Sequence, residues 1–122
     1  MRAYILTIAL ALSTSSSFAV STCDSMPTKN QRMDCWSNLI GDYQREAEEY
    51  AFAVQESKKV PANVKHAVEE KHQAISNDAN ARCRKDELGY PENTCYIQQI
   101  QMFKDFTYKQ TSKFGVPDKR LN

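Results

Sequence analysis

The stretch TKNQRMDCWSNLIGDYQREAEEYAFAVQES, Thr28 to Ser57, decides the fold. Thr28 and Gln31 stand in the spacing of a capping box, in which hydroxyl and amide satisfy the free backbone donors of a first helical turn. Beyond them Met33, Trp36, Ile40, Tyr43, Ala47, Tyr50 and Val54 recur at alternating steps of three and four. Seven such positions form one apolar seam on a long helix. Polar and charged residues, Gln44-Arg45-Glu46 and Glu48-Glu49 among them, fill the rest, so one face is buried and the other wet. Ser57 marks the end, where Lys58-Lys59 complements the negative end of the helix dipole.

Outward from this helix the pattern repeats more weakly. Pro61 and Asn63 open a second helix whose stripe is Val64, Val68, Ile75, Ala79 and Cys83. Ala67, Ala74, Ala79 and Ala81 keep it slim enough to approach the bulky seam of the first. Gly89, Pro91 and Asn93 place a solvent-facing loop between Lys85 and Asn93. Asn93 or Thr94 caps a third helix with Tyr96, Ile100, Phe103 and Phe106 on one face, and Gly115 and Pro117 stop it. The polar tail from Asp118 to Asn122 is expected to fray. The expected class is therefore all-α, a three-helix antiparallel bundle with helices over about 29–57, 63–84 and 94–113.

Upstream, Arg2, the apolar run Ala3 to Leu12, a Ser/Thr-rich stretch and Ser17-Phe18-Ala19 have the layout of a secretory signal peptide. The expected division is a leader over 1–19 and one helical domain over 20–122. The apolar run is too short to cross a hydrocarbon layer of about 30 Å. Export to a periplasmic or secreted location follows, with no membrane insertion once the leader is cleaved. Val20-Ser21-Thr22-Cys23 faintly resembles a bacterial lipoprotein cleavage site, but Thr22 is a poor residue before such a cut and lipidation would leave an odd number of thiols.

In an oxidising compartment Cys23, Cys35, Cys83 and Cys95 are expected to form two disulfides. An antiparallel bundle gathers them at one pole. That geometry favours Cys35 with Cys83 between helices and Cys23 with Cys95 on the arm. The alternative is two local bridges, Cys23 with Cys35 and Cys83 with Cys95. Each local pair encloses eleven residues, unlike the two-residue spacing usual in zinc sites and catalytic dithiols.

Sixteen Lys and Arg stand against fifteen Asp and Glu, and Arg2 leaves with the leader. A neutral chain carries no basic field to hold nucleic acid or an anionic membrane. Charged residues at 25% and only three glycines favour helices. Nothing in the residues points to an enzyme. His66 and His72, six apart, do not face one another on a helix; His66 with Glu70 makes at best a weak surface site. Glu46, Glu48 and Glu49 are a wet helix face rather than an acid pair. No phosphate loop or nucleophilic serine motif occurs. The expectation is no catalytic residue, no metal and no cofactor. Phe52, Tyr108 and Phe114 fall outside the core stripes and are candidate contact points.

Cys23, then Met33-Asp34-Cys35, Tyr43, the segment Gln73-Ala74-Ile75 through Ala81-Arg82-Cys83, and finally Cys95 resemble the small exported domain of the lysozyme inhibitor LprI-like family. The resemblance spans nearly the whole chain after the leader. It departs at Ile75, where the family has tryptophan, at Asp78, where it has an aromatic residue, and at Ala79-Asn80, where it has an Arg-Asp pair. The resemblance implies an exported binding protein, with a lysozyme or related cell-wall hydrolase as its protein partner. The loop Arg84 to Glu92 is the candidate binding element, with Tyr90 as anchor and Arg84 or Lys85 facing catalytic carboxylates. Two other classes fit the same chain: a periplasmic immunity protein against a delivered toxin, and an envelope interaction module without an enzyme target.

Overall fold

The computed structural model describes residues 22–120. The expected leader, 1–19, lies outside them. After a helical turn at 22–24, the described chain forms α1 (Lys29–Glu56), α2 (Ala62–Gln73), α3 (Ile75–Arg82), α4 (Asn93–Thr111) and a 3-10 turn (Ser112–Phe114). No strand occurs among the described residues beyond one isolated bridge.

The first helix begins as its capping box dictates. Gln31 N–H donates to Thr28 Oγ1 and Thr28 N–H to Gln31 Oε1, both at 3.1 Å. Trp36, Tyr43, Ala47, Tyr50 and Val54 are buried and Ile40 is half-buried. Met33 breaks the expected seam at 50% exposed. The arm before the helix turns back near Pro27 and meets α1 at Arg32 and Trp36 on either side of Met33. Trp36 Nε1 donates to Asp24 Oδ1 at 3.1 Å and Arg32 to the Met26 carbonyl at 2.8 Å.

The expected single helix over 63–84 is two, divided at Ala74, so the bundle has four helices where three were expected. Ala74 (ψ −6°) sends its N–H to both Glu70 and His72 carbonyls. No proline or glycine causes the break; each side of it is held by α4 instead. The His72 ring lies 5.2 Å from that of Phe103, and Ser76 Oγ lies 3.1 Å from the Tyr96 hydroxyl. Of the small residues expected to allow close packing, Ala79 is buried, Ala67 and Ala74 are half-buried and Ala81 is exposed.

The expected cap at Asn93 or Thr94 is absent, since α4 starts at Asn93 after Glu92 without a side-chain cap. Its buried face is also rotated from expectation. Ile97, Ile100, Phe103, Lys104, Thr107 and Thr111 are buried, while Tyr96 and Phe106 flank them half-buried. Gly115, at φ +83°, reverses the chain after the 3-10 turn and brings Val116 into the core, a conformation L side chains rarely adopt. The tail from Asp118 does not fray as far as Arg120. The Arg120 guanidinium stacks 3.6 Å from the Tyr108 ring centre and hydrogen-bonds Asp118 at 2.7 and 2.9 Å. Those bonds hold the Asp118 carboxyl below the usual carboxylate range.

α1 and α4 run in the same direction, with Gln44 against Tyr96, Glu46 against Lys104, and Tyr50 beside Thr111. α2 and α3 return between them. Both disulfides consequently lie at one pole, as expected, but the favoured pairing is wrong. Cys23 joins Cys35 and Cys83 joins Cys95, with Cα separations of 5.3 and 5.8 Å. Local turns make these closures. The folded-back arm delivers Cys23 to the second turn of α1, and the 84–92 hairpin delivers Cys95 to Cys83.

The Tyr50 hydroxyl is buried and makes no hydrogen bond of full geometry among the described residues, although the Lys119 backbone and the Thr111 hydroxyl lie beside it. Burial pushes its pKa up, opposed by the Lys119 backbone and the Thr111 hydroxyl. Stability is therefore level below the unfolded value of about 10 and falls as pH climbs beyond it, because the unfolded chain ionises first. Tyr50→Phe is expected to keep or raise stability by up to about 1 kcal/mol and to lessen this alkaline fall. Urea titrations on either side of that pH check both effects.

Candidate functional site

The disulfide pole carries the hairpin foreseen as a loop, and its order comes from one aspartate. Asp86 Oδ1 accepts from the Leu88 N–H at 2.9 Å and the Tyr90 N–H at 3.0 Å. Backbone bonds close the same turn: Asp86 N–H to the Tyr90 carbonyl at 2.7 Å, Gly89 N–H to the Asp86 carbonyl at 3.0 Å, and Glu92 N–H to the Arg84 carbonyl at 2.9 Å. Lys85 and Pro91 form an antiparallel bridge. Gly89, at φ +86°, supplies the left-handed residue that such a turn needs. Cys83–Cys95 staples the base. The turn thus holds Leu88 and Tyr90 outward, 70% and 66% exposed, on a backbone that is already ordered.

All three residues singled out in this loop are exposed. Tyr90 is at the tip. Arg84 is exposed and makes no ion pair among the described residues. Lys85 is exposed as well, and its Nζ donates to the Asn80 carbonyl, which links the end of α3 to the hairpin. Leu88, the most exposed large apolar side chain of the hairpin, escaped notice because a lone leucine in a polar loop carries no periodic signal.

Beside the hairpin a groove of about 250 Å³ is lined by Asp24, Trp36, Asp86, Glu92, Asn93 and Thr94, from the arm, α1 and the hairpin. A second groove, about 260 Å³, lies where α2 meets α3 and includes Gln44, Glu48, His72, Ser76 and Tyr96. Tyr96 is held there by Gln44 Nε2 at 3.2 Å. His66 Nε2 lies 3.2 Å from Glu70 on an open helix face. Among the described residues no group of three or more His, Cys, Asp or Glu side chains could hold a metal ion, and no helix is long and apolar enough to cross a membrane.

Asp86→Ala is expected to free the hairpin tip while sparing the bundle, because it removes acceptors for two amides that nothing else satisfies. Hydrogen exchange at Leu88 and Tyr90 should quicken by about tenfold, the equivalent of roughly 1.4 kcal/mol of local opening. Amides in the middle of α1 should keep their protection.

Comparison with known proteins finds no family model, curated protein or solved structure that matches this chain.

Proposed function

We propose that the protein is an exported inhibitor that blocks the cleft of a lysozyme or related cell-wall hydrolase with the 84–92 hairpin. The single observation carrying this reading is the hairpin itself: a stapled, self-bonded turn with Leu88 and Tyr90 projecting from one end of the fold. A loop ordered before binding loses little conformational entropy on docking, which favours affinity. Tyrosine and arginine are among the residue types enriched in interface hot spots, and Tyr90 and Arg84 are both exposed on the hairpin. Arg84, exposed and in no ion pair among the described residues, is a cation able to meet an acidic cleft. The cysteine frame supports the same reading through its resemblance to the LprI-like family. Two disulfides suit a periplasmic or secreted setting, and the sequence of residues 1–19 supports cleavage of a leader.

The test is inhibition of muramidase activity on purified cell wall by the oxidised protein, against c-type, g-type and i-type lysozymes, with a reduced sample beside it. Inhibition that disappears on reduction supports the proposal. No inhibition of any of the three removes it in favour of an immunity protein or an envelope module.

A further inference from the structure

The chain is neutral in total, but the fold separates its charges. Lys58 and Lys59 follow α1, Lys65 lies in the first turns of α2, Lys109 ends α4, Lys113 lies in the 3-10 turn and Lys119 in the tail. Because α1 and α4 run alongside in one direction and α2 starts where α1 ends, all six meet at the pole opposite the disulfides. The contacts there are direct. Lys59 Nζ lies 3.9 Å from where a Cβ on Gly115 would stand, Gln55 Nε2 donates to the Lys65 carbonyl at 2.9 Å, and Val60 and Val116 share the core.

None of the six makes an ion pair among the described residues. All are exposed except Lys65 and Lys119, which are half-exposed. Their acidic neighbours are Glu56, Asp118 and Asp105; the Asp118 carboxylate is already taken by Arg120, and the charge of Asp105 also acts on Arg120. The carbonyl ends of α1 and α4 carry about half an elementary charge each, far less than six ammonium groups. Two phenylalanines accompany the cluster. Phe52 is 64% exposed one turn before the end of α1, and Phe114 lies half-buried under Lys113 Nζ.

We infer that this basic pole is a docking surface for an anionic phospholipid bilayer, on which the bundle stands end-on. Lysine is a point charge suited to diffuse surface charge, whereas recognition of individual phosphates favours the arginine fork. The one arginine here, Arg120, is occupied by Asp118 and Tyr108. The end of a bundle also presents no helix or strand that could enter a nucleic-acid groove, while phenylalanine beside lysine suits the headgroup boundary. Bound in this way, the protein directs its hairpin away from the membrane. The inference stands on the placement of charge and holds whether or not the hairpin engages a hydrolase.

The experiment is co-sedimentation of the oxidised protein, as recovered from the exporting cell, with vesicles of phosphatidylcholine alone or mixed equally with phosphatidylglycerol. Binding to the mixed vesicles is expected at about 0.05 M salt and its loss at about 0.5 M, as screening shortens the reach of each charge. Lys58→Gln/Lys59→Gln/Lys113→Gln should lower the partition coefficient by about a hundredfold, roughly fivefold per lysine. A charge-matched control, Lys29→Gln/Arg45→Gln/Arg82→Gln, should lower it far less. The inference is overturned by equal binding to neutral vesicles, by no binding to the anionic ones, or by a control as weak as the polar triple. Binding to duplex DNA without binding to vesicles would overturn it too, and would mark the pole as a nucleic-acid surface.

Discussion

Lys104→Met is expected to destabilise the fold by about 3 kcal/mol, at the lower end of what breaking a buried ion pair costs. Lys104 Nζ donates to Glu46 Oε1 at 2.7 Å, with the lysine side chain 2% exposed and the glutamate 19%. The Tyr43 ring centre lies 5.9 Å from the same ammonium. Removing the lysine leaves a mostly buried carboxylate with no counter-charge, and the one-fifth exposure that Glu46 retains keeps the loss at the lower end. Lys104→Met/Glu46→Leu should recover most of the stability, because an apolar pair of similar volume avoids the desolvation of both charges. Urea unfolding of the two variants checks this. A single variant within about 0.5 kcal/mol of wild type would show that the pair is a surface contact in solution. The pair joins α1 to α4 and fixes which turn of one faces which turn of the other.

The second large effect belongs to the disulfides. Each closes the same sequence separation, 12 residues, so each restricts the unfolded chain equally, by about 3 kcal/mol. Any difference between Cys23→Ala/Cys35→Ala and Cys83→Ala/Cys95→Ala then reports on folded contacts. The arm depends on its bridge more than the hairpin does. Cys23 is fully buried, and release of the arm would also expose Trp36 and cost its bond to Asp24. The hairpin keeps its backbone bonds and Asp86. The arm variant should therefore be the less stable by about 1 kcal/mol, on the scale of one lost hydrogen bond plus partial exposure of a large ring. Peptide mapping of an unreduced digest should recover the two local pairs, and a peptide linking Cys35 to Cys83 would contradict the fold at this pole.

The helical class and the disulfide pole were legible because they depend on periodicity and on helix order. Seam residues from Trp36 to Val54 announce one buried face, and Thr28 with Gln31 announces where the helix starts. The interior of α4 was not legible. Its buried line runs through Lys104, Thr107 and Thr111, residue types that a hydrophobicity pattern assigns to solvent, so the expected stripe settled on Tyr96 and Phe106 at its margins. The break at Ala74 was equally hidden, since no local breaker marks it and the contacts with Phe103 and Tyr96 that flank it come from α4. Disulfide pairing was misjudged because helix poles were considered without the turns that lead into them. Pro27 and the 84–92 hairpin bring each cysteine to its sequence neighbour before any contact between helices is needed. The candidate loop was found from its turn residues. Its internal use of Lys85 and its display of Leu88 required the fold.

The central functional claim rests on Tyr90, so the most direct measurement is the inhibition constant of Tyr90→Ala beside wild type against a lysozyme that the oxidised protein inhibits. The side chain is exposed and its backbone bonds to Asp86 survive the substitution, so stability should be unchanged. The account predicts weakening by about thirtyfold or more, the loss expected of a hot-spot aromatic. Inhibition by Tyr90→Ala as tight as wild type would contradict it and move the binding face off the hairpin.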